Sequence, residues 1–340
     1  MIPRPASPYV PLRFQPQPST MNDVTLSASP NVKNQHYVWR HYLNAWAATG
    51  TFCCYRHKDR QFLPTQPKSV ASETYFYETQ QLTGGDLEFL ESIIGQATDK
   101  KLQELNRDYV KLSQISFQMR AGLKDATLPE PARAALDREL RWAERNLSER
   151  YHAGIENKCQ DILDWLRNEN DDFYRDELRR NDFFYFLSLQ YFRTPRMRQG
   201  FSGSGTWIAG HDPRRTSAIL GHIYATNIGR AFVCERKAYR IVFLKNETAV
   251  PFVTGDQPVI NTLDPKTTDD VALYYPLSPA LAIILTKDIV RFPDQKRRVT
   301  SLEVEAYNHA IYSMSEDQVY ANDEAYLRSL VAIGKHLIRP

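Results

Sequence analysis

The chain has 340 residues, of which 42% are hydrophobic, 12% aromatic and 24% charged, with 43 Lys and Arg against 40 Asp and Glu. This composition excludes a disordered, collagen-like or coiled-coil protein, and a chain of this length buries a core without disulfide bonds. The four cysteines form no metal-binding or disulfide pattern, and no apolar run reaches the roughly 18 residues of a membrane helix. With no signal sequence in residues 1–30, we expect a cytoplasmic protein without a membrane partner.

Six prolines lie among the first twenty residues. Because proline cannot donate to a helix or a ladder, residues 1–30 are predicted to form a disordered or extended tail. Met21 is a candidate alternative start. Residues 31–340 are predicted to form a single domain.

The first ordered elements are short. Asn34 is expected to cap a helix that runs to about Trp46. Segments 51–56 and 61–63 alternate in polarity across a polar turn, which predicts a hairpin, and 72–77 predicts a strand. The phrase Gly84-Gly85-Asp86 marks a helix start.

Residues 86–180 have helical spacing almost throughout and are predicted to form a helical subdomain, broken near 123–131 and 168–172. Segment 183–192 is apolar on nearly all sides, which predicts a buried helix before Pro195. A loop at Gly200–Gly205 and a helix at about Pro213–Gly229 follow.

Beyond Gly229 the sequence favours short extended segments. Strands are predicted at 231–235, 239–244, 252–254, 259–261, 271–275, 281–286 and 318–320. Helices are predicted at 301–314 and from Asp323. Helices and strands are thus segregated, which predicts an α+β fold with a long central helical section and an antiparallel sheet formed mainly by the C-terminal half.

Positive charge is concentrated between Arg193 and Arg240, where nine basic residues accompany two acidic ones. Arginine forks match phosphate oxygens, so this window predicts an anionic ligand such as nucleic acid. The alternative is that these arginines pair with the acidic helices before them. Since no P-loop, dinucleotide, zinc-protease, hydrolase or calcium motif is present, the sequence names no reaction by itself.

Five phrases occur in one order: Gln35–Leu43, Ser69–Tyr77, Gln190–Pro195, Thr254–Val259 and Tyr275–Pro279. Together they resemble a large uncharacterised family of bacterial and fungal proteins, a domain of unknown function whose members begin with a HYVPxxYL-like phrase. The likeness covers roughly residues 34–320. The family has Pro where this chain has Trp39, and a Ser-Asp-Asn-Pro phrase where this chain has Gly255-Asp256-Gln257-Pro258. The resemblance implies which polar positions matter without implying a reaction.

Two polar residues in the first of these phrases are site candidates. His36 is a candidate general acid or base because imidazole titrates near neutral pH, with Arg40 on the same face of the expected helix as a substrate-binding residue. The alternative for His36 is a local hydrogen bond. Glu73, in a strand-like phrase, is a candidate base or metal ligand, or else an exposed strand charge.

Gln190 and Arg193 lie three residues apart on the apolar helix, so a buried guanidinium there needs a carboxylate or a bound anion. Asp256 follows a strand end and is both the best carboxylate for a site and a candidate partner of Arg193. The alternative for Asp256 is a turn that caps its own backbone. Arg196 and Asn308 are further candidates for binding substrate.

These residues support three hypotheses. In the first, His36 moves a proton, Arg193 neutralises phosphate charge, and Asp256 or Glu73 orients His36 or holds a divalent metal ion, as in a nuclease acting as an intracellular toxin or phage-defence effector. In the second, the protein binds a partner protein through its helical section without catalysis. In the third, it is an enzyme acting on a small anionic metabolite.

Overall fold

The computed structural model of the chain describes residues 30–123, 127–203 and 208–337. Residues 1–29 of the predicted tail, with the candidate start at Met21, lie outside these residues. The described part contains eleven α-helices and eleven β-strands, which confirms the α+β class. The helices are α1 Arg40–Leu43, α2 Gly84–Ile94, α3 Lys100–Ser113, α4 Ile115–Gly122, α5 Glu130–Lys158, α6 Gln160–Arg167, α7 Glu177–Phe192, α8 Pro195–Gly203, α9 Pro213–Cys234, α10 Ser301–Met314 and α11 Glu324–Leu337.

The strands form three sheets. They are β1 Asn34–His36, β2 Phe52–Arg56, β3 Gln61–Thr65, β4 Ser72–Thr74, β5 Arg240–Lys245, β6 Thr254–Gly255, β7 Ile260–Asn261, β8 Leu273–Ser278, β9 Leu281–Thr286, β10 Lys296–Arg298 and β11 Gln318–Ala321. The sheet orders are β1-β4, β10-β5-β9-β8-β7 and β3-β2-β11-β6. In the described part, every pairing is antiparallel except that of β10 with β5.

The five-stranded sheet is covered on both faces. Along β9, Ile283 and Leu285 belong to one apolar cluster, whereas Ala282 and Ile284 belong to another. This alternation follows the two-residue period of a strand. Helices α6, α7 and α9 contribute to the first cluster, and α10 and α11 to the second, so the sheet is the middle layer of the fold.

Helix α7 is the buried helix that the sequence predicts. Residues 183–190 are all buried, and the helix ends just before Pro195. It packs along α9, where Phe184 and Phe232 have ring centroids 5.5 Å apart. Because α7 is surrounded by apolar side chains, Arg193 at its end lies deep in the protein, 3% exposed.

The predicted hairpin and the C-terminal helices are also confirmed. Strands β2 and β3 pair from Phe52–Thr65 to Arg56–Gln61. Helix α10 has the predicted bounds and begins with a capping box between Thr300 and Glu303. The helical breaks near 123–131 and 168–172 are present, with further breaks between α2 and α3 and at Cys159.

Three predicted elements are wrong. Segment 34–36 is a strand rather than a helix start, because its backbone pairs with β4, with Gln35 opposite Glu73. The predicted strand 231–235 is instead the end of α9, whose Phe232 is held in the core beside α7. The predicted loop at Gly200 belongs to α8, and Gly205 lies outside the described residues.

The helical section packs on the rest of the fold through α9. Phe89 and Ile94 of α2 and Val110 of α3 form one apolar cluster with Ile219 and Ile223 of α9. That residues 86–180 form a subdomain of their own stays a prediction. None of the described helices is long and apolar enough to span a membrane.

Candidate functional site

A cavity of about 590 Å³ lies between the N-terminal segment and the second half of α5. One wall comes from β1, α1 and the turn at Gln66–Lys68, and the other from α5. The lining residues are Val32, Asn34, His36, Trp39, Arg40, His41, Asn44, Gly50, Gln66, Pro67, Lys68, Glu149, His152, Ala153, Glu156 and Asn157. Its size falls within the range usual for small-molecule sites.

Buried Gln35 holds these two walls together. Its side-chain amide donates to the carbonyl oxygen of Arg145 on α5 at 2.5 Å, and its carbonyl oxygen accepts from the backbone N–H of Tyr77 at 2.7 Å. The backbone N–H of Val32 donates to Asn146 of α5 at 2.8 Å. Because β1 is bonded to both β4 and α5, His36 at its end is fixed at the cavity.

The floor of the cavity carries titratable side chains from α5. Glu149, His152 and Glu156 are spaced by three and four residues, so they share one face of the helix. The Tyr77 ring packs on His152 with centroids 4.2 Å apart. The sequence prediction missed all three residues. Their spacing places them on one face of the helix but does not show that this face is turned inward.

Three polar atoms at this floor are buried without a hydrogen-bond partner in the described protein: Nε2 of His36, Oε2 of Glu149 and Nδ1 of His152. Buried polar atoms are nearly always paired in folded proteins, so an unpaired one calls for a bound ligand, a water molecule or a catalytic role. The three therefore mark the cavity floor as a place where a ligand would find unsatisfied donors and acceptors.

Burial sets the protonation states of these groups. Burial, together with the charge of Arg40, lowers the pKa of His36 below its ordinary 6.5, with the backbone of Lys68 opposing the shift. Burial lowers the pKa of His152 well below that value. Burial, reinforced by Glu156 and opposed by Arg193, raises the pKa of Glu149 to about 7. Near neutral pH the floor therefore holds neutral imidazoles and a carboxyl that is about half protonated.

Arg193 lies behind this floor and is ion-paired with Glu156. The same nitrogen of Arg193 donates to Oε1 of Gln190 at 2.9 Å. The sequence prediction that Asp256 is a partner of Arg193 is wrong, because the guanidinium of Arg193 forms its ion pair with Glu156. Gln190 and Arg193 thus support the cavity from behind and do not line it, whereas His36 and Arg40 do.

Asp256 lies elsewhere, and its carboxylate is fully occupied. Its two oxygens accept the backbone N–H groups of Glu316, Asp317 and Gln318 at 2.8, 2.7 and 2.8 Å. Burial raises the pKa of Asp256 to about 7, and these three bonds pull it down. The carboxylate therefore fastens the turn between α10 and β11.

We expect Asp256→Asn to lower the free energy of unfolding by about 2 kcal/mol, because the amide nitrogen cannot accept and at least one backbone N–H beside the buried side chain loses its partner. Urea denaturation measures this loss. Asp264→Asn is the control, since exposed Asp264 accepts a single backbone N–H from Lys266. A loss equal to that of the control would contradict the fastening role.

The remaining predicted site residues also lie away from the cavity lining. Glu73 is exposed on β4. Arg196 is ion-paired with Glu316 at 3.5 Å. Buried Asn308 accepts from the backbone N–H of Val253 and donates to the carbonyl oxygen of Pro251, so it joins α10 to the irregular segment that leads into β6.

The basic window does not form one patch. Five of its arginines are ion-paired. The pairs are Arg193–Glu156, Arg196–Glu316, Arg214–Asp212, Arg215–Asp86 and Arg230–Asp99. Glu156, Asp86 and Asp99 come from helices or helix caps earlier in the chain, so the alternative of pairing with the helices before the window holds for Arg193, Arg215 and Arg230. Arg196 and Arg214 pair instead with Glu316 after the window and Asp212 inside it. The cations at the cavity mouth, Arg40 and Lys68, come from outside the window.

Across the described ranges, no three His, Cys, Asp or Glu side chains are placed to share a metal ion. The cavity floor contains groups that can donate or accept protons, and the cations Arg40 and Lys68 lie at its mouth.

Residues 34–325 match the model of a family described as "Protein of unknown function (DUF4238)". The chain belongs to this family. The match confirms the expected membership of an uncharacterised family. Neither a curated protein nor a solved structure matches the chain. His36, Glu149, His152 and Glu156 all lie within the matched residues, so the DUF4238 domain itself forms the cavity floor.

Proposed function

We propose that the protein is an acid–base enzyme that cleaves a phosphodiester bond in the cavity, as a nuclease does. The observation that carries this proposal is the placement of His36 and Glu149 in one cavity, beneath the exposed cations Arg40 and Lys68. An imidazole and a carboxyl at one site are the groups that move protons in phosphodiester cleavage.

His36 serves as the general base. Its Nε2 has no partner in the described protein, and its lowered pKa keeps the imidazole neutral near pH 7. Glu149 serves as the general acid, since its raised pKa keeps part of the carboxyl protonated near that pH. The lowered pKa of His36 and the raised pKa of Glu149 leave an unprotonated base and a partly protonated acid at the same pH, as an acid–base pair requires.

The charges around the cavity favour an anion. Arg40 and Lys68 lie at its mouth, and Arg193 adds a buried positive charge behind the floor. Glu156 offsets Arg193, and Glu149 is only partly ionised, so positive charge is in excess. Arginine and lysine are the residues that bind phosphate and stabilise the charge that develops on it.

The rate is expected to follow a bell-shaped pH profile. Activity rises with pH as His36 loses its proton, with a midpoint below 6.5, and falls as Glu149 loses its proton at about 7. Measurement of kcat/KM between pH 5 and 9 checks this expectation. A rate that keeps rising to pH 9 would show that another group donates the proton.

Incubation of the purified protein with RNA, DNA and bis(p-nitrophenyl) phosphate, with EDTA or with Mg²⁺ or Mn²⁺, tests the proposal. We expect cleavage of at least one phosphodiester in EDTA. The absence of cleavage by folded protein under every condition would reject the proposal. Cleavage only with a metal ion would reject the acid–base assignment, and turnover of a small phosphate ester alone would favour the small-metabolite alternative.

The proposed cellular role is that of an intracellular toxin or phage-defence effector, because cleavage of nucleic acid is harmful inside a cell. Controlled expression tests it: growth arrest by the wild type that Glu149→Gln removes supports the role, and unaffected growth counts against it.

The alternative that the protein binds a partner protein is supported only by a few exposed apolar side chains on the helical section. Leu112, Ile115 and Met119 are exposed near the junction of α3 and α4, at 65%, 45% and 48%. Nothing on this surface identifies a partner, so the proposed function rests on the cavity.

A further inference from the structure

The reactive atoms of the cavity are sheltered from solvent. Nε2 of His36 and Oε2 of Glu149 are both buried, while Arg40 and Lys68 at the mouth are exposed. A phosphodiester that reacts here must therefore pass the mouth and reach the floor. A flexible single strand can do this, whereas a base-paired duplex holds its backbone on the outside of a stiff double helix.

The mouth also carries groups suited to a nucleobase. Asn44, Gln66 and Asn157 are exposed amides in the lining, and each offers both a donor and an acceptor. Trp39, which is 9% exposed and packs against His41 and Phe186, adds a small aromatic surface to the lining. Unpaired bases are recognised through such amides and aromatic surfaces. Phosphate-binding cations next to base-binding amides fit a nucleotide better than a simple phosphate.

The lining contains no side-chain hydroxyl or thiol among the described residues. The nucleophile must then come from another lining group, from water or from the substrate. RNA carries its own nucleophile, because each ribose holds a 2′-hydroxyl next to the phosphate. An attached nucleophile needs only a base and an acid, since proximity has already lowered the entropic barrier.

We propose that the cavity cleaves single-stranded RNA by attack of the 2′-hydroxyl on the adjacent phosphate. This inference rests on the proposed function and adds the substrate class. The 2′-hydroxyl gives its proton to Nε2 of His36 as the new O2′–P bond forms. The P–O5′ bond breaks, and the leaving oxygen takes the proton of the Glu149 carboxyl. The products are a 2′,3′-cyclic phosphate and a 5′-hydroxyl, and proton exchange with water restores both residues.

Four substrates in EDTA test this inference: a single-stranded RNA oligonucleotide, the same sequence as DNA, the RNA annealed to its complement, and bis(p-nitrophenyl) phosphate. We expect the single-stranded RNA to be cut at least about 100-fold faster than DNA, because DNA lacks the 2′-hydroxyl that His36 would deprotonate. The RNA product should end in a 2′,3′-cyclic phosphate. The duplex should be cut more slowly than the single strand.

The outcomes separate the two proposals. Cleavage of DNA or of the duplex as fast as single-stranded RNA, or RNA products without the cyclic phosphate, would overturn the RNA inference and leave the phosphodiesterase standing. Hydrolysis of bis(p-nitrophenyl) phosphate alone would overturn the RNA inference and favour the small-metabolite alternative over a nuclease. No reaction with any substrate would reject both.

Salt dependence gives a second readout, that of contacts between the cavity mouth and the RNA backbone. Arg40→Gln and Lys68→Gln should each lower the slope of log KM against log salt by about 0.7, the value for one phosphate contact with a single strand. Lys111→Gln is the control, because exposed Lys111 does not line the cavity. Unchanged slopes in both cavity variants would overturn the placement of the RNA backbone at the mouth.

Discussion

Glu149→Gln is expected to lower the rate of phosphodiester cleavage by a factor of about 10² to 10⁴, the usual contribution of a general acid. Glutamine keeps the shape of the side chain but cannot give up a proton. His36→Gln should cause a loss of similar size by removing the base. Single-turnover rates measured at saturating substrate and pH 6.5 check both expectations. Exposed Glu88 of α2, which does not line the cavity, supplies the control Glu88→Gln.

Stability separates a catalytic role of Glu149 from a structural one. The pKa of Glu149 is raised in the fold, so ionising it as the pH rises through about 7 costs stability. Glutamine avoids this cost, and we therefore expect Glu149→Gln to unfold at the same or a higher temperature than the wild type at pH 8. A variant that loses activity together with stability would indicate a structural carboxylate instead.

Loss of the Glu156 carboxylate is expected to destabilise the protein by about 3–5 kcal/mol, because Glu156→Ala leaves the buried charge of Arg193 without its direct partner. The side chains of Arg193 and Glu156 are only 2% and 13% exposed. Urea denaturation measures the change. The control is Glu324→Ala, which breaks an exposed pair with Arg328 and should cost about 1 kcal/mol or less.

A double variant tests whether the loss comes from the unpaired charge of Arg193. Replacement of both partners, as Arg193→Met with Glu156→Leu, removes both charges and should recover much of the lost stability. If Glu156→Ala costs no more than Glu324→Ala, Arg193 is compensated by other groups and the pair does not support the cavity floor.

The sequence predicts elements well where one local signal dominates. The apolar run of α7 and the Thr300–Glu303 capping box of α10 specify their helices without help from distant residues. Segment 34–36 carries no such signal. Its strand depends on pairing with β4 nearly forty residues away, and tertiary context of this kind overrides local preference.

The candidate site is only partly readable from the sequence for a similar reason. His36 and Arg40 are found because imidazole and guanidinium groups stand out in a short phrase. Glu149 and Glu156 lie in a helix whose alternating charges indicate a solvated surface, and only the fold shows that one face turns inward. Asp256 looks like a site carboxylate at a strand end, and its three backbone partners are invisible until β11 is in place.

The hydrogen bond from Val32 to Asn146 joins residues 114 positions apart along the chain. Closing so long a loop costs more entropy than forming the local turns of α5. We therefore expect the helices to form first and the two cavity walls to meet afterwards. A refolding chain would then regain helical circular dichroism before it regains activity. Activity that returns first would contradict this order. The cavity thus reports the completion of folding, and the harmful chemistry proposed for it stays off in a half-folded chain.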